Sequence, residues 1–251
     1  MEVSGKLNIN NGNVFTSRDK FRFMCHRNLQ CFGKCCRDIN IFLTPYDVLR
    51  IKDQLGIPSW EFLEKYTVLL TAGYTGFPVV ILKMREEADL LCPFVTPQGC
   101  GVYNQRPWSC RMAPLDLRGE DRFSIAFDPE FCHGLKEDRE WDAVSWMRDQ
   151  GLENYDPVEK EFSRIPLELK LSGFKKKDRD MLEVFYNTCY NLDRFREFVS
   201  KKSFGLSFNV PREVIDKIIN HQVELLKFGM EWLVSGIDFK KAQKMMARIK
   251  C

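Results

Sequence analysis

Residues 92–111 read CPFVTPQGCGVYNQRPWSCR, in which Cys92, Cys100 and Cys110 are separated by seven and nine residues. Upstream lies a second group, Cys25, Cys31, Cys35 and Cys36, and downstream stands Cys132. Eight of the ten cysteines therefore fall between Cys25 and Cys132, leaving only Cys189 and Cys251 for the rest of the chain. In an exported protein such bunching reads as a disulfide framework. Here Met1 to Gly12 has no apolar stretch of the kind a secretory signal needs. The chain is also long enough to fold without staples, and a bridge between adjacent cysteines such as Cys35 and Cys36 would be strained. A cytoplasmic location and reduced thiols are predicted. Clustered thiols then point to metal binding, with thiol–disulfide chemistry and inert burial as the competing readings.

The composition narrows the class further. With 251 residues, 44% hydrophobic and 29% charged, the chain is ordinary globular material and neither disordered, collagen-like nor a coiled coil. A net charge of +3 is too even to argue for nucleic acid or a membrane surface as a partner. The apolar run Phe77–Leu82 is far short of the roughly 20 residues that a membrane span requires.

An α+β fold is predicted, with a cysteine-rich core of short strands and helices followed by a mainly helical region. Thr44 as N-cap, Pro45 at the first helical position and Asp47 three residues after the cap start a helix that Gly56 ends. A second helix starts at Ser59 with Phe62, Leu63 and Tyr66 on its apolar face. Strands are predicted at Lys20–Met24, Val79–Met84 and Phe123–Phe127, with Cys100–Tyr103 as a partner strand. From Trp141 onward the pattern is helical. Met181, Phe185, Cys189, Leu192 and Phe195 form one stripe; Val214, Ile218, Leu225 and Trp232 form another, between Pro211 and Gly236. Ile237–Lys250 reads as a short basic amphipathic tail, and Gly173–Asp178, with Lys175, Lys176 and Lys177, as an exposed connector. The expected division is a metal-binding domain over residues 20–135 and a helical region over 136–251.

The spacing of the thiols limits their chemistry. No Cys-x-x-Cys occurs, which disfavours a conventional zinc finger and a thioredoxin-like dithiol. Iron–sulfur clusters accept broader spacing, so four cysteines at loop positions suit a [4Fe–4S] cluster, with zinc as the alternative. Cys31 and Cys35 begin the radical S-adenosylmethionine pattern, but Asp38 stands where its third cysteine belongs. Dinucleotide and phosphate-loop fingerprints are absent.

Cys31, Cys35-Cys36, the Thr-Pro-x-Asp helix start, Cys92-Pro93-Phe94, Cys100-x-x-Tyr103 and Arg106-Pro107-x-x-Cys110-Arg111 together resemble the YkgJ-type cysteine-cluster family. These CxxCxxCC proteins are described as zinc- or iron-chelating. Cys132-His133-Gly134 is similar to the Cys-x-Gly that follows their core. Spacers of five and three residues around Cys31 replace the family's two and two. The resemblance, over roughly residues 23–134, implies a metal or iron–sulfur site. The family also includes relatives of flagellin lysine N-methylase, so the resemblance implies, as the enzymatic alternative, an Fe–S-dependent protein lysine N-methyltransferase-like enzyme with a protein substrate.

The expected ligands are Cys31, Cys35, Cys36, Cys92, Cys100 and Cys110, then Cys25 and Cys132. Arg106 and Arg111 flank Cys110 and are expected to stabilise thiolate charge or donate to cluster sulfur. Tyr103 is expected to be a packed aromatic. Glu86, Glu87 and Asp89 read as a solvated turn, Cys189 as a core residue, and His221 as a structural residue within a helix.

Overall fold

The computed structural model describes residues 14–73, 75–173 and 178–249, apart from the side chain of Asp156. Met1 to Gly12, the lysines at 175–177, and Cys251 lie outside that range. The protein is mixed, with short antiparallel strands, a cysteine-rich N-terminal region and a helical C-terminal part. It divides into two compact units that interleave along the chain. One comprises the residues up to Ile39 with Met84–Asn154; the other comprises Asn40–Lys83 with the residues from Tyr155 onward.

The first unit carries the clustered cysteines. Strand Lys20–Arg22 pairs with Glu140–Asp142, placing Phe21 opposite Trp141. Leu115–Gly119 pairs with Arg122–Ile125, and Phe15 exchanges two 2.8 Å backbone hydrogen bonds with Phe123 beside that hairpin. Asp142 then caps helix Ala143–Asp149 by accepting from the Ser145 N–H, while the Ser145 hydroxyl accepts from the Asp142 N–H. The core joins Phe15, Phe21, Phe23, Met112, Leu115, Phe123, Trp141 and Trp146. Phe23 and Trp146 meet edge to face at 5.3 Å. Both indole N–H groups are satisfied: Trp141 donates to the Phe23 carbonyl at 2.9 Å and Trp146 to the Met112 carbonyl at 3.1 Å. Two tryptophans thus fix the backbone on either side of the cysteine segments.

In the second unit Phe42–Leu43, Pro78–Leu82 and Thr67–Thr71 form an antiparallel sheet with Pro78–Leu82 in the middle. Helix Pro45–Leu55 has the predicted capping box, and Gly56 closes it at φ +66°. Ser59–Tyr66 follows as a helix. The remaining helices run from Asp156–Leu171 to Phe239–Met246 around buried Phe185, Phe195, Phe198, Phe204, Leu225 and Trp232. Gly229 is a packing requirement, because a Cβ there would sit 2.7 Å from Thr188 Cγ2 and 2.9 Å from the Phe195 ring. Among the described residues no helix is long and apolar enough to cross a membrane.

Four expectations need correction. Cys100–Tyr103 does not pair with Val79–Leu82: Cys100 pairs with Val95 in a two-residue hairpin, and Tyr103 starts a single 3-10 turn. The actual partners of Pro78–Leu82 include the unforeseen strand Thr67–Thr71. Trp141 lies in a strand, and the helix begins only at Ala143. The two long helical stripes are each broken. The first stops at Cys189 and restarts at Leu192 under an Asn191 cap; the second stops at Ile218 and restarts at Gln222 just after His221, which is an exposed cap and not a helix-interior residue.

Candidate metal centre

The first cysteine segment is a string of turns. The Lys34 N–H donates to the Cys31 carbonyl at 2.9 Å, and Gly33 at φ +76° opens a 3-10 turn holding Cys35 and Cys36. The Cys132–Gly134 segment is laid against the start of this string. Met24 N–H donates to the Gly134 carbonyl at 3.0 Å, and His133 N–H donates to Cys31 Sγ at 3.3 Å. Gly134 permits the approach, since a Cβ there would be 2.9 Å from the Met24 carbonyl oxygen and 3.0 Å from the Phe23 ring. Cys25, Cys31 and Cys132 are thereby gathered from chain positions more than a hundred residues apart.

The other end of the string meets the quoted segment. Cys92 N–H donates to the Cys36 carbonyl at 2.8 Å, and Asp38 N–H to the Leu90 carbonyl at 3.0 Å. Arg37 reinforces the junction by donating to the Ala88 carbonyl at 2.7 Å and to Asp89 Oδ2 at 2.8 Å. The Glu86–Ala88 turn beside it is exposed or half-buried, as its charges predict. The hairpin Val95–Cys100 folds Cys100 back toward Cys92, with the Phe32 ring against Gly99. Cys110 sits in the single-turn helix Trp108–Met112, and Pro107 holds Arg106 extended at ψ 149°.

Arg111 is buried and acts as a clamp. Its guanidinium donates to the Arg106 carbonyl at 3.0 Å, the Gln150 carbonyl at 2.6 Å and the Asn104 carbonyl. Arg106 is half-buried, lies 4.0 Å over the exposed Tyr103 ring and donates to Gln150 Oε1. Tyr103 is therefore a surface platform for Arg106 and not a packed core aromatic. Burial lowers the pKa of Arg106, while Tyr103, Cys110 and Cys100 pull the other way.

All nine described cysteines are free thiols. Cys31 and Cys189 are buried, Cys25 is exposed, and the others are half-buried. Desolvation, followed by the neighbouring Cys35, Cys132 and Cys31, pushes Cys25 up to about 11. Desolvation also raises Cys92, Cys100 and Cys132. Backbone N–H groups work against that rise: Phe94 and Val95 at Cys92, Val102 at Cys100, Gly134 and Leu135 at Cys132. Cys35 and Cys36 share a hydrogen bond that lowers Cys35 to about 7 and raises Cys36. Cys189 stands apart in the helical unit, where burial alone drives its thiol well up, as a core residue should be.

The donor set suits a thiophilic metal ion or an iron–sulfur cluster. The thiols are unbridged, and N–H donors at Cys92, Cys100 and Cys132 partly offset the cost that burial places on thiolate charge. Among the described residues, no group of three or more His, Cys, Asp or Glu side chains is already converged tightly enough to hold an ion. Ligand closure would therefore accompany binding. Arg85 is the residue that sequence reasoning missed: its Nε–H is buried without a partner, and its charge favours the Cys92 thiolate. Nothing in the pattern around it distinguishes Arg85 from the other basic residues.

No curated protein and no solved structure matches the chain. Residues 24–133 match a family described as "CxxCxxCC: Putative zinc- or iron-chelating domain". That span contains all eight clustered cysteines, and in it the chain is similar to a domain described as zinc- or iron-chelating.

Proposed function

We propose that this is a cytoplasmic protein that holds an iron–sulfur cluster of the [4Fe–4S] type on thiolates from both cysteine groups, in a structural or redox role. Zinc is the competing occupant. The observation that carries the reading is the tie between the groups, the Cys92 N–H donating to the Cys36 carbonyl. It brings cysteines 56 positions apart into one neighbourhood, as a thiolate-bound centre needs. The irregular spacers and the absence of Cys-x-x-Cys favour a cluster over a single zinc ion.

Ligation converts thiols to thiolates and concentrates negative charge in a half-buried place. Arg85 beside Cys92, and Arg106 beside Cys100 and Cys110, offset that charge. Arg111 holds the backbone of residues 104–106 so that Arg106 stays in place. The sulfurs receive further stabilisation from backbone N–H groups.

The test is anaerobic purification of the full chain with iron, zinc and acid-labile sulfide analysis. Iron and sulfide in equal amounts with broad absorption near roughly 400 nm establish the cluster. Zinc without colour replaces the cluster with a structural site, and a chain that binds neither overturns the reading.

A further inference from the structure

The eight clustered cysteines are not one undivided pool. Two independent pieces of backbone geometry sort them. The Met24–Gly134 hydrogen bond and the His133 N–H on Cys31 Sγ bring Cys25, Cys31 and Cys132 together at one end of the first segment. The Cys36–Cys92 hydrogen bond and the Val95–Cys100 hairpin bring Cys36, Cys92 and Cys100 together at the other end. The adjacent pair Cys35–Cys36 lies at the junction, in one 3-10 turn.

Position completes each group. Cys36 is the member of the adjacent pair whose carbonyl is tied to Cys92, which leaves Cys35 for the first set. Cys110, in the single-turn helix that follows the Val95–Cys100 hairpin, belongs with Cys92 and Cys100 in the second.

We infer that the protein has two metal sites of four thiolates each, one from Cys25, Cys31, Cys35 and Cys132 and one from Cys36, Cys92, Cys100 and Cys110. This rests on the reading of the cysteines as metal ligands and goes beyond it by dividing them. Four thiolates complete a tetrahedral zinc site or a cubane cluster, so each set is self-sufficient. The paired cysteines supply one ligand to each, which explains why two neighbours are useful where one ion could rarely take both.

Zinc binding to the full chain, stripped and reduced under argon, tests the division. The wild-type chain should take up about two zinc ions. C25S/C132S and C100S/C110S should each retain about half of that uptake, and the quadruple variant none. One ion in the wild-type chain, or loss of all zinc in either double variant, overturns the division but leaves metal binding intact. No zinc or iron uptake by the wild-type chain fails the underlying reading instead.

Because a variant can misfold, wild-type chain carrying half its zinc load should also be alkylated and measured intact. In any one molecule the labels should fall on one set and spare the other. Labels that mix the two sets overturn the assignment.

Discussion

The main-chain N–H of His133 points at the sulfur of Cys31, 3.3 Å away across 102 positions of chain. A backbone donor aimed at sulfur fixes its direction, so His133 acts on this cysteine group through its amide. This contact depends on Gly134, the next residue, being able to lie against Met24 and Phe23.

Gly134→Ala should therefore be destabilising. Its new methyl would overlap the Met24 carbonyl oxygen, which is backbone and cannot swing aside. A loss of about 1–3 kcal/mol is expected in urea unfolding. Metal uptake by the folded variant should also weaken, and unchanged stability would contradict the packing account.

Arg111→Lys should cost about 2–4 kcal/mol, although it preserves charge. A lysine ammonium cannot span the carbonyls of Asn104, Arg106 and Gln150 as the planar fork does, which leaves buried acceptors unpaired. Thermal unfolding of the Lys and Ala variants would show whether charge alone suffices.

Cys189→Ala separates core thiols from cluster thiols. It removes one buried sulfur from an apolar helix, at a cost of about 1–2 kcal/mol. Metal content per folded chain should stay at the wild-type value. In contrast, C35A/C36A removes a ligand from each proposed set and should abolish most metal uptake.

Stability should fall in acid partly through Asp142. The Lys20 ammonium, then the Ser145 N–H, hold its carboxyl at about 2, below the ordinary 3.9 of a free aspartate. A depressed folded pKa adds stability that is complete above about pH 4 and is lost as pH falls toward 2. Asp142→Ala should lower stability by about 1 kcal/mol at pH 7 through loss of the cap, and should flatten the acid limb of the profile. Unfolding free energies measured from pH 2 to pH 7 check both parts.

Local signals were the legible ones. Thr44, Pro45, Asp47 and Gly56 mark both ends of one helix because each satisfies a terminal backbone requirement within four residues of itself. The eight cysteines likewise announced a metal-chelating domain by bunching. What escaped depends on distant partners. Leu192 and Phe195 continue the spacing of Met181 and Phe185, so periodicity carries the eye across the break that Asn191 makes. Cys100 follows Val95 too closely for a two-residue hairpin to stand out from a longer strand. Arg85 is one of 38 basic residues, and what sets it apart is a buried, unpartnered N–H together with its place beside Cys92, both tertiary features.

The closing strand pair has a bearing on how the protein is made. Lys20 and Asp142 meet across 122 positions, and Cys31 waits for His133 across 102. At about 5–20 residues per second, a ribosome needs roughly 5–25 s to deliver the second partner after the first. During that interval the leading thiols have emerged without their neighbours. The cysteine group that Cys31 and His133 close can therefore assemble only after residue 133 has been made.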